Sequence, residues 1–234
     1  MADPIIELSG VSKMYGGLRP LRIRQLSVAA GEQVGLAGFD ATTAEVFVNL
    51  VTGSTLPETG QVRVFGRATS DITDSDEWLR QVDRFGIVSE RIVLLDQYSI
   101  VQNVAMALTL ELGRLPADAR SQAVALARDA GLDDVDRPVA GLPTAARHRV
   151  RLARSLAAAP SVLLVEHPRA GLDDVDVAPL AADLRRAAAA RGIAVVVLAA
   201  DPAHARPFVD RVARLNAATG ELVEDRWWHR LTRR

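Results

Sequence analysis

The sequence predicts an α/β chain: a parallel sheet covered on both faces, an antiparallel β flank, and a helical insertion near residues 89–150. Three observations carry this. Residues 161–165, after the opening Ser161, and 193–198 are apolar runs, as strands buried on both faces must be. Those runs alternate with helical stretches, which is the pattern of a parallel sheet. Residues 21–28 and 60–66 alternate apolar and polar side chains, as half-buried strands do, and they supply the flank.

In chain order, residues 5–11 read as a strand followed by a turn at Gly10, and residues 21–28 as the second strand. Residues 32–37 form a buried strand. Residues 43–51 are helical and end before Gly53, a usual residue just past a helix end. Residues 60–66 and 85–88 are strands. Residues 99–146 are helical in several pieces, with Gly113, Gly131 and Pro138 as breaks, and residues 150–158 continue as helix. The apolar strand at 161–165 is followed by an Ala/Arg-rich helix at 177–191, then by the strand at 193–198. There are no repeats and no linker long enough to divide the chain. The expected organisation is one domain over 1–234, with 1–88 and 151–225 as core and flank, 89–150 as helical subdomain, and 226–234 as a basic tail.

Composition narrows the function classes. Hydrophobic residues make up 49% of the 234 and aromatics 4%, so the core rests on Ala, Val and Leu. A formal net charge of -1 argues against a general nucleic-acid binder. The absence of cysteine excludes disulfides and thiolate metal sites, and no His cluster has metal-ligand spacing. No apolar run approaches the roughly 20 residues that span a bilayer. The N-terminus has an acid at Asp3 and lacks a basic lead, so no signal peptide is expected and a cytoplasmic setting is. Lys13 is the only lysine against 27 arginines, a compositional bias rather than a functional sign.

Residues 34–53 have the layout of a phosphate-binding loop: a short apolar strand, a turn, an amphipathic helix. A working loop reads G-x-x-x-x-G-K-[ST], where glycine-rich backbone amides cradle phosphates and the lysine supplies charge. Here the frame starts at Gly38 and runs through Phe39, Asp40, Ala41 and Thr42. The second glycine falls on Thr43, the lysine on Ala44 and the hydroxyl residue on Glu45. Between Arg24 and Arg63 there is no Lys, Arg or His, and the ionisable groups there are all acids. One unfavourable charge contact at ~4 Å costs roughly 4 kcal/mol at an effective dielectric of 20. Thr42-Thr43-Ala44-Glu45 also fits a capping box, with Thr42 as N-cap and Glu45 reaching back as a built-in anion.

The order of these pieces resembles the nucleotide-binding subunit of ATP-binding-cassette (ABC) transporters over nearly the whole chain, about residues 5–224. The resemblance implies a P-loop NTPase-like (RecA-like) core with antiparallel β flank and helical subdomain. It makes Tyr15 the aromatic that stacks on adenine, with cover of a strand edge as the plainer reading. Phe85-Gly86-Ile87-Val88-Ser89-Glu90 matches the approach to the glutamine loop. Gly141-Leu142-Pro143-Thr144-Ala145-Ala146 sits where the LSGGQ signature belongs. Residues 160–173 have the shape of the Walker B strand and D-loop, with Asp173 in the D-loop.

Against that family pattern the chemistry departs at most positions. Glu90 stands for the loop glutamine, Glu166 for the Walker B aspartate, His167 for the catalytic glutamate and Ala200 for the switch histidine. Pro143, Thr144 and Ala145 replace the signature serine and two glycines. His167 reads as a weak base or as a satisfied polar residue at a strand end. His148 and His204 read as helix-surface residues. The resemblance with its departures implies a non-hydrolytic cassette that docks on a transmembrane subunit after Glu90. It would pair with a second cassette as homo- or heterodimer, with no metal site and no cofactor. Two alternatives stay open: an active ATPase using ATP and Mg, and a free-standing adaptor. The tail, Arg226 to Arg234, lies on a membrane surface or subunit, or frays.

Overall fold

Alternation along the early strands builds the flank. The computed structural model describes residues 4–225, so the basic tail and its expected roles lie outside the described residues. Strand β1 (Pro4–Lys13) pairs antiparallel with β2 (Leu21–Ala29). The fully buried β3 (Gln33–Ala37) runs into α1 (Ala41–Val51). The chain then returns to the flank through β4 (Thr59–Val64) and the short β5 (Arg67–Ala68). Helix α2 (Ser75–Val82) precedes β6 (Phe85–Val88). The helical insertion holds α3 (Ile100–Ala105), α4 (Ala117–Asp129) and α5 (Thr144–Leu156). Then come β7 (Val162–Glu166), α6 (Asp174–Ala189), β8 (Ala194–Ala199), α7 (Pro202–Ala205), β9 (Arg211–Leu215) and β10 (Leu222–Glu224).

The larger sheet has the order β10-β9-β3-β8-β7-β6, parallel from β9 to β6 with β10 antiparallel at the edge. The flank has the order β2-β1-β4-β5. Because strand side chains alternate faces, β7 and β8 feed two cores. Val162, Leu164, Val196 and Leu198 pack with α1 and the flank, including Ile6, Leu8 and Phe47. Leu163, Val165, Val195 and Val197 pack with the helices, including Val104, Leu152 and Leu184. This is why β8 is apolar throughout and β7 is apolar up to its last residue, Glu166.

Several boundaries differ from the sequence expectation. Helix α1 starts at Ala41, two residues before the expected Thr43. Helix α6 starts at Asp174 rather than Val177, with Asp173 at the N-cap position. Helix α2 and strands β5, β9 and β10 were not anticipated. Helix α2 buries none of its residues fully and spans only 8 residues, too short for a 3.6-residue apolar repeat to stand out in the sequence.

Candidate functional site

The carboxyl ends of β3, β7 and β8 converge, the usual place for a ligand in an open parallel sheet. Three residues, Gly38, Phe39 and Asp40, link β3 to α1. Gly38 has φ 89, and a Cβ there would sit 3.1 Å from the Leu215 carbonyl oxygen, so glycine is needed. Phe39 is fully buried, edge-to-face with Phe47 at 5.7 Å between ring centroids. Its burial draws the loop down onto the core.

Several amides of the loop and first helical turn are engaged. The Gly38 N–H donates to the Ala200 carbonyl at 3.1 Å, and the Phe39 N–H to the Ala199 carbonyl at 3.1 Å. The helix begins with Asp40, extended at φ -79 and ψ 179, as N-cap. Its carboxylate accepts from the Thr43 N–H at 2.8 Å and the Thr43 hydroxyl at 2.7 Å. The expected N-cap was Thr42, with Glu45 reaching back; both assignments are corrected. Asp40 wins because one carboxylate takes two Thr43 donors, and the buried Phe39 fixes it at the helix entrance. These same donors, together with the Thr42 N–H and the charge of nearby His167, hold the Asp40 carboxyl below its usual range. The helix end carries an internal anion, but it is Asp40.

Glu45 turns outward and meets a cation from another segment. Its Oε1 lies 3.1 Å from Arg91 Nη1, in the loop after β6. Arg91 also grips Glu166 at the end of β7: Nε donates to Oε2 at 3.1 Å, and Nη2 donates to Oε1. Ser89 Oγ donates to the same Oε2 at 2.8 Å. Glu166 is only 5% exposed, so this two-pronged grip compensates a buried charge. The Glu166 hydrogen bonds raise the Arg91 pKa further above its ordinary value, with Glu45 adding to the effect. Residues 25–62 hold no cation; the fold brings one from residue 91.

Glu90, expected to face the site, lies 4.0 Å from His148 on α5, through Oε1 and Nε2. His148 is buried at 2% exposure, which corrects its reading as a surface residue. Its Nε2 is 3.4 Å from the Ala170 carbonyl oxygen. His204 is exposed on α7. His167 follows β7 in the left-handed region, at φ 46, with its N–H bonded to the Leu198 carbonyl at 2.9 Å. Its buried Nε2 has no hydrogen-bond partner among the described residues. Ala200 contributes only its carbonyl.

The remaining expected residues lie apart from this cluster. Leu142, Pro143, Thr144, Ala145 and Ala146 form the entry to α5, with Pro143 at the N-cap position and no side-chain cap. Thr144 lies against Gly171, just before Asp173. Tyr15 is half-buried and packs on the flank core. Ala44 is fully buried in that core.

A divalent cation is the family's implied partner for positions 45 and 166. The two carboxylates have suitable chemistry for a hard ion. The same oxygens, however, are bonded to a guanidinium, so the residues present do not fit the ion and the arginine together. Among the described residues no group of three or more His, Asp or Glu is gathered as a metal site.

With this geometry in place, the comparisons decide the family. The family description "ABC transporter" matches residues 21–170. The chain belongs to the ABC transporter family. This ABC chain is 32% identical over 217 residues to the methionine import ATP-binding protein MetN of Brucella abortus (strain 2308), covering 91% of this chain and 58% of that protein. It is 29% identical over 227 residues to the lipoprotein-releasing system ATP-binding protein LolD 2 of Caulobacter vibrioides, covering 95% and 99%. The chain thus spans little more than half of the MetN relative, and 42% of the ribose import ATP-binding protein RbsA 2 of Rhizobium etli. Among solved structures it is similar to cbiO1 from Clostridium perfringens, part of the ABC transporter complex cbiONQ, with TM-score 0.83, 19% identity, and 99% and 92% coverage. It is also similar to the cassette MJ0796 bound to ADP and Pi, with TM-score 0.74 and 23% identity, covering 94% and 97%. At these identities the structures show the fold: an ABC cassette on a P-loop NTPase-like core.

Proposed function

We propose that this chain is a non-hydrolytic ABC cassette that docks on a transmembrane subunit as scaffold or regulator of a transport complex. The observation that carries the reading is the three-residue link from β3 to α1, closed by Asp40. A triphosphate approaching the helix end meets a carboxylate where it needs amides and a lysine. Arg91, the nearby cation, is committed to Glu45 and Glu166. Pro143 at the signature position brings neither an N–H nor a hydroxyl, so a second cassette would receive little from this surface.

Docking is supported by what the chain keeps. The loop after Glu90 and helices α3 and α5 enclose an open groove of about 360 Å³, lined by Ile87, Ile92, Met106, Ala107, Arg154 and Ala158. Relatives are named as import and lipoprotein-releasing ATP-binding proteins, and cbiO1 as part of a complex. Among the described residues no helix is long and apolar enough to cross a membrane. On this reading the chain sits on the inner face of the membrane through its partners, paired with a second cassette or a copy of itself.

The test is titration of the purified full chain with ATP and magnesium, alongside steady-state ATPase assay. The expected outcome is affinity weaker than ~1 mM, about -4 kcal/mol, and turnover no higher than that of Glu45→Ala. Micromolar ATP affinity, or turnover above that control, overturns the proposal.

A further inference from the structure

We propose that Arg91 is a tethered cation that permanently occupies the place between α1 and β7 reserved by the phosphate-loop motif for a divalent ion. Its guanidinium thereby locks the loop after β6 without metal or nucleotide. The proposal rests on the non-hydrolytic reading and gives that site its regulation: exclusion of divalent cations.

Three observations converge on it. First, the contacts are those of an ion site. Arg91 bridges the carboxylate at the motif's metal-binding hydroxyl position, Glu45, and the carboxylate at the end of β7, Glu166. In loops of this class those two positions are the ones that hold magnesium. Second, the charges explain each other. A hydroxyl at position 45 with one carboxylate at 166 leaves a single negative charge for a doubly charged ion. Here two carboxylates carry two negative charges and the guanidinium supplies one positive charge from within the chain, a net of -1 where the ion-filled motif would carry +1. Third, the lock reaches beyond the site. The Arg91 N–H donates to Ser89 Oγ at 3.2 Å, and that hydroxyl donates to Glu166. On the other side, the Ile92 carbonyl accepts from Arg151 Nε at 3.0 Å, and the Val93 carbonyl from Arg154 Nη2 at 3.0 Å. Residues 89–93 are therefore fixed to β7 at one end and α5 at the other. Ile92 and Arg154 line the groove, so the lock holds its wall in one shape.

A free divalent ion must displace a group that cannot diffuse away. Tethering gives the guanidinium a high effective concentration at the two carboxylates, and its planar fork matches Glu166 better than a point charge does.

The probe is Mn²⁺ alone, with no nucleotide, added to the full chain and to Arg91→Gln and Arg91→Lys. Binding is read by electron paramagnetic resonance and by the shift in thermal midpoint. The wild-type chain and Arg91→Lys are expected to show no saturable binding. Arg91→Gln is expected to gain at least about tenfold in Mn²⁺ affinity, and adding Glu166→Gln is expected to remove the gain. Saturable Mn²⁺ binding by the wild-type chain overturns the proposal, as does a folded Arg91→Gln that gains none. Hydrogen exchange on the wild-type chain tests the lock without any variant. Amides of residues 89–93 are expected to be protected equally with and without ATP and magnesium; protection that appears only with them overturns the lock. Because Mn²⁺ is tested without nucleotide, failure here is distinct from ATP turnover, which would overturn the functional reading.

Discussion

His148 shows at one residue how burial converts into pH dependence. The imidazole is 2% exposed on α5, and loss of hydration pushes its pKa below the ordinary 6.5. The Ala170 carbonyl and Glu90 oppose that shift, while Arg151 reinforces it. The folded chain keeps His148 neutral where the unfolded chain already binds a proton. Stability is therefore complete above about pH 6.5 and falls as pH drops toward the lower folded pKa, by up to ~1.4 kcal/mol per pH unit. The thermal midpoint of the wild-type chain is expected to decline across that window. His148→Gln is expected to flatten the decline; an unchanged slope in the variant sinks this assignment. Asp40 acts lower on the scale: its depressed pKa contributes stability above about 3.8, lost on further acidification. The histidine's loss begins near pH 6.5, well above the onset of the Asp40 loss, so its onset is read first.

At the scale of one element, α1 begins at an end capped by the Asp40 carboxylate. Because it starts at Ala41, Ala44 lies within its first turns, fully buried against the flank core. Restoring the motif's side chains should therefore fail. Ala44→Lys with Glu45→Ser forces a long cation into a packed core and is expected to cost about 1–3 kcal/mol from overpacking alone, measured by urea denaturation. No saturable ATP binding should appear. Micromolar ATP affinity in a stable double variant would show that the end of α1 reopens readily. The same helix shows what sequence could and could not convey. Strands β3, β7 and β8 were legible because burial on both faces leaves a continuous apolar run. The two caps were not separable, because Asp40-x-x-Thr43 and Thr42-x-x-Glu45 both fit the local pattern. The choice was made by Phe39, whose ring meets Phe47 in the core. Arg91 was missed for another reason. The motif assigns the inward position to residue 90, but Glu90 turns toward His148 and its neighbour takes the place. That exchange depends on the partner at position 166, which lies on a strand far along the chain.

At the scale of the whole molecule, two regions of the cassette differ in how open they are. The ends of β3, β7 and β8 are closed by internal ions, while the groove between α3, α5 and β6 stays open. Its walls are partly apolar, and α5 supplies Arg151 and Arg154 along one side. A short segment of a membrane subunit, apolar with an acidic or carbonyl-rich end, has the chemistry to fill it. Such docking needs the groove empty and nothing from the phosphate loop. Ala107 is exposed at the rim, so Ala107→Trp fills the groove without entering either core. Its effect on stability is expected to stay within about 0.5 kcal/mol. Recovery of a multi-span membrane protein with the tagged chain is expected to fall at least about tenfold, a loss of 1.4 kcal/mol or more in association. Leu79→Trp provides the control, because Leu79 is half exposed on α2, away from the groove. Equal loss with both variants would point to general damage by an added tryptophan. Undiminished recovery with Ala107→Trp would remove the groove as the docking site and leave the closed phosphate loop without a retained partner to explain it.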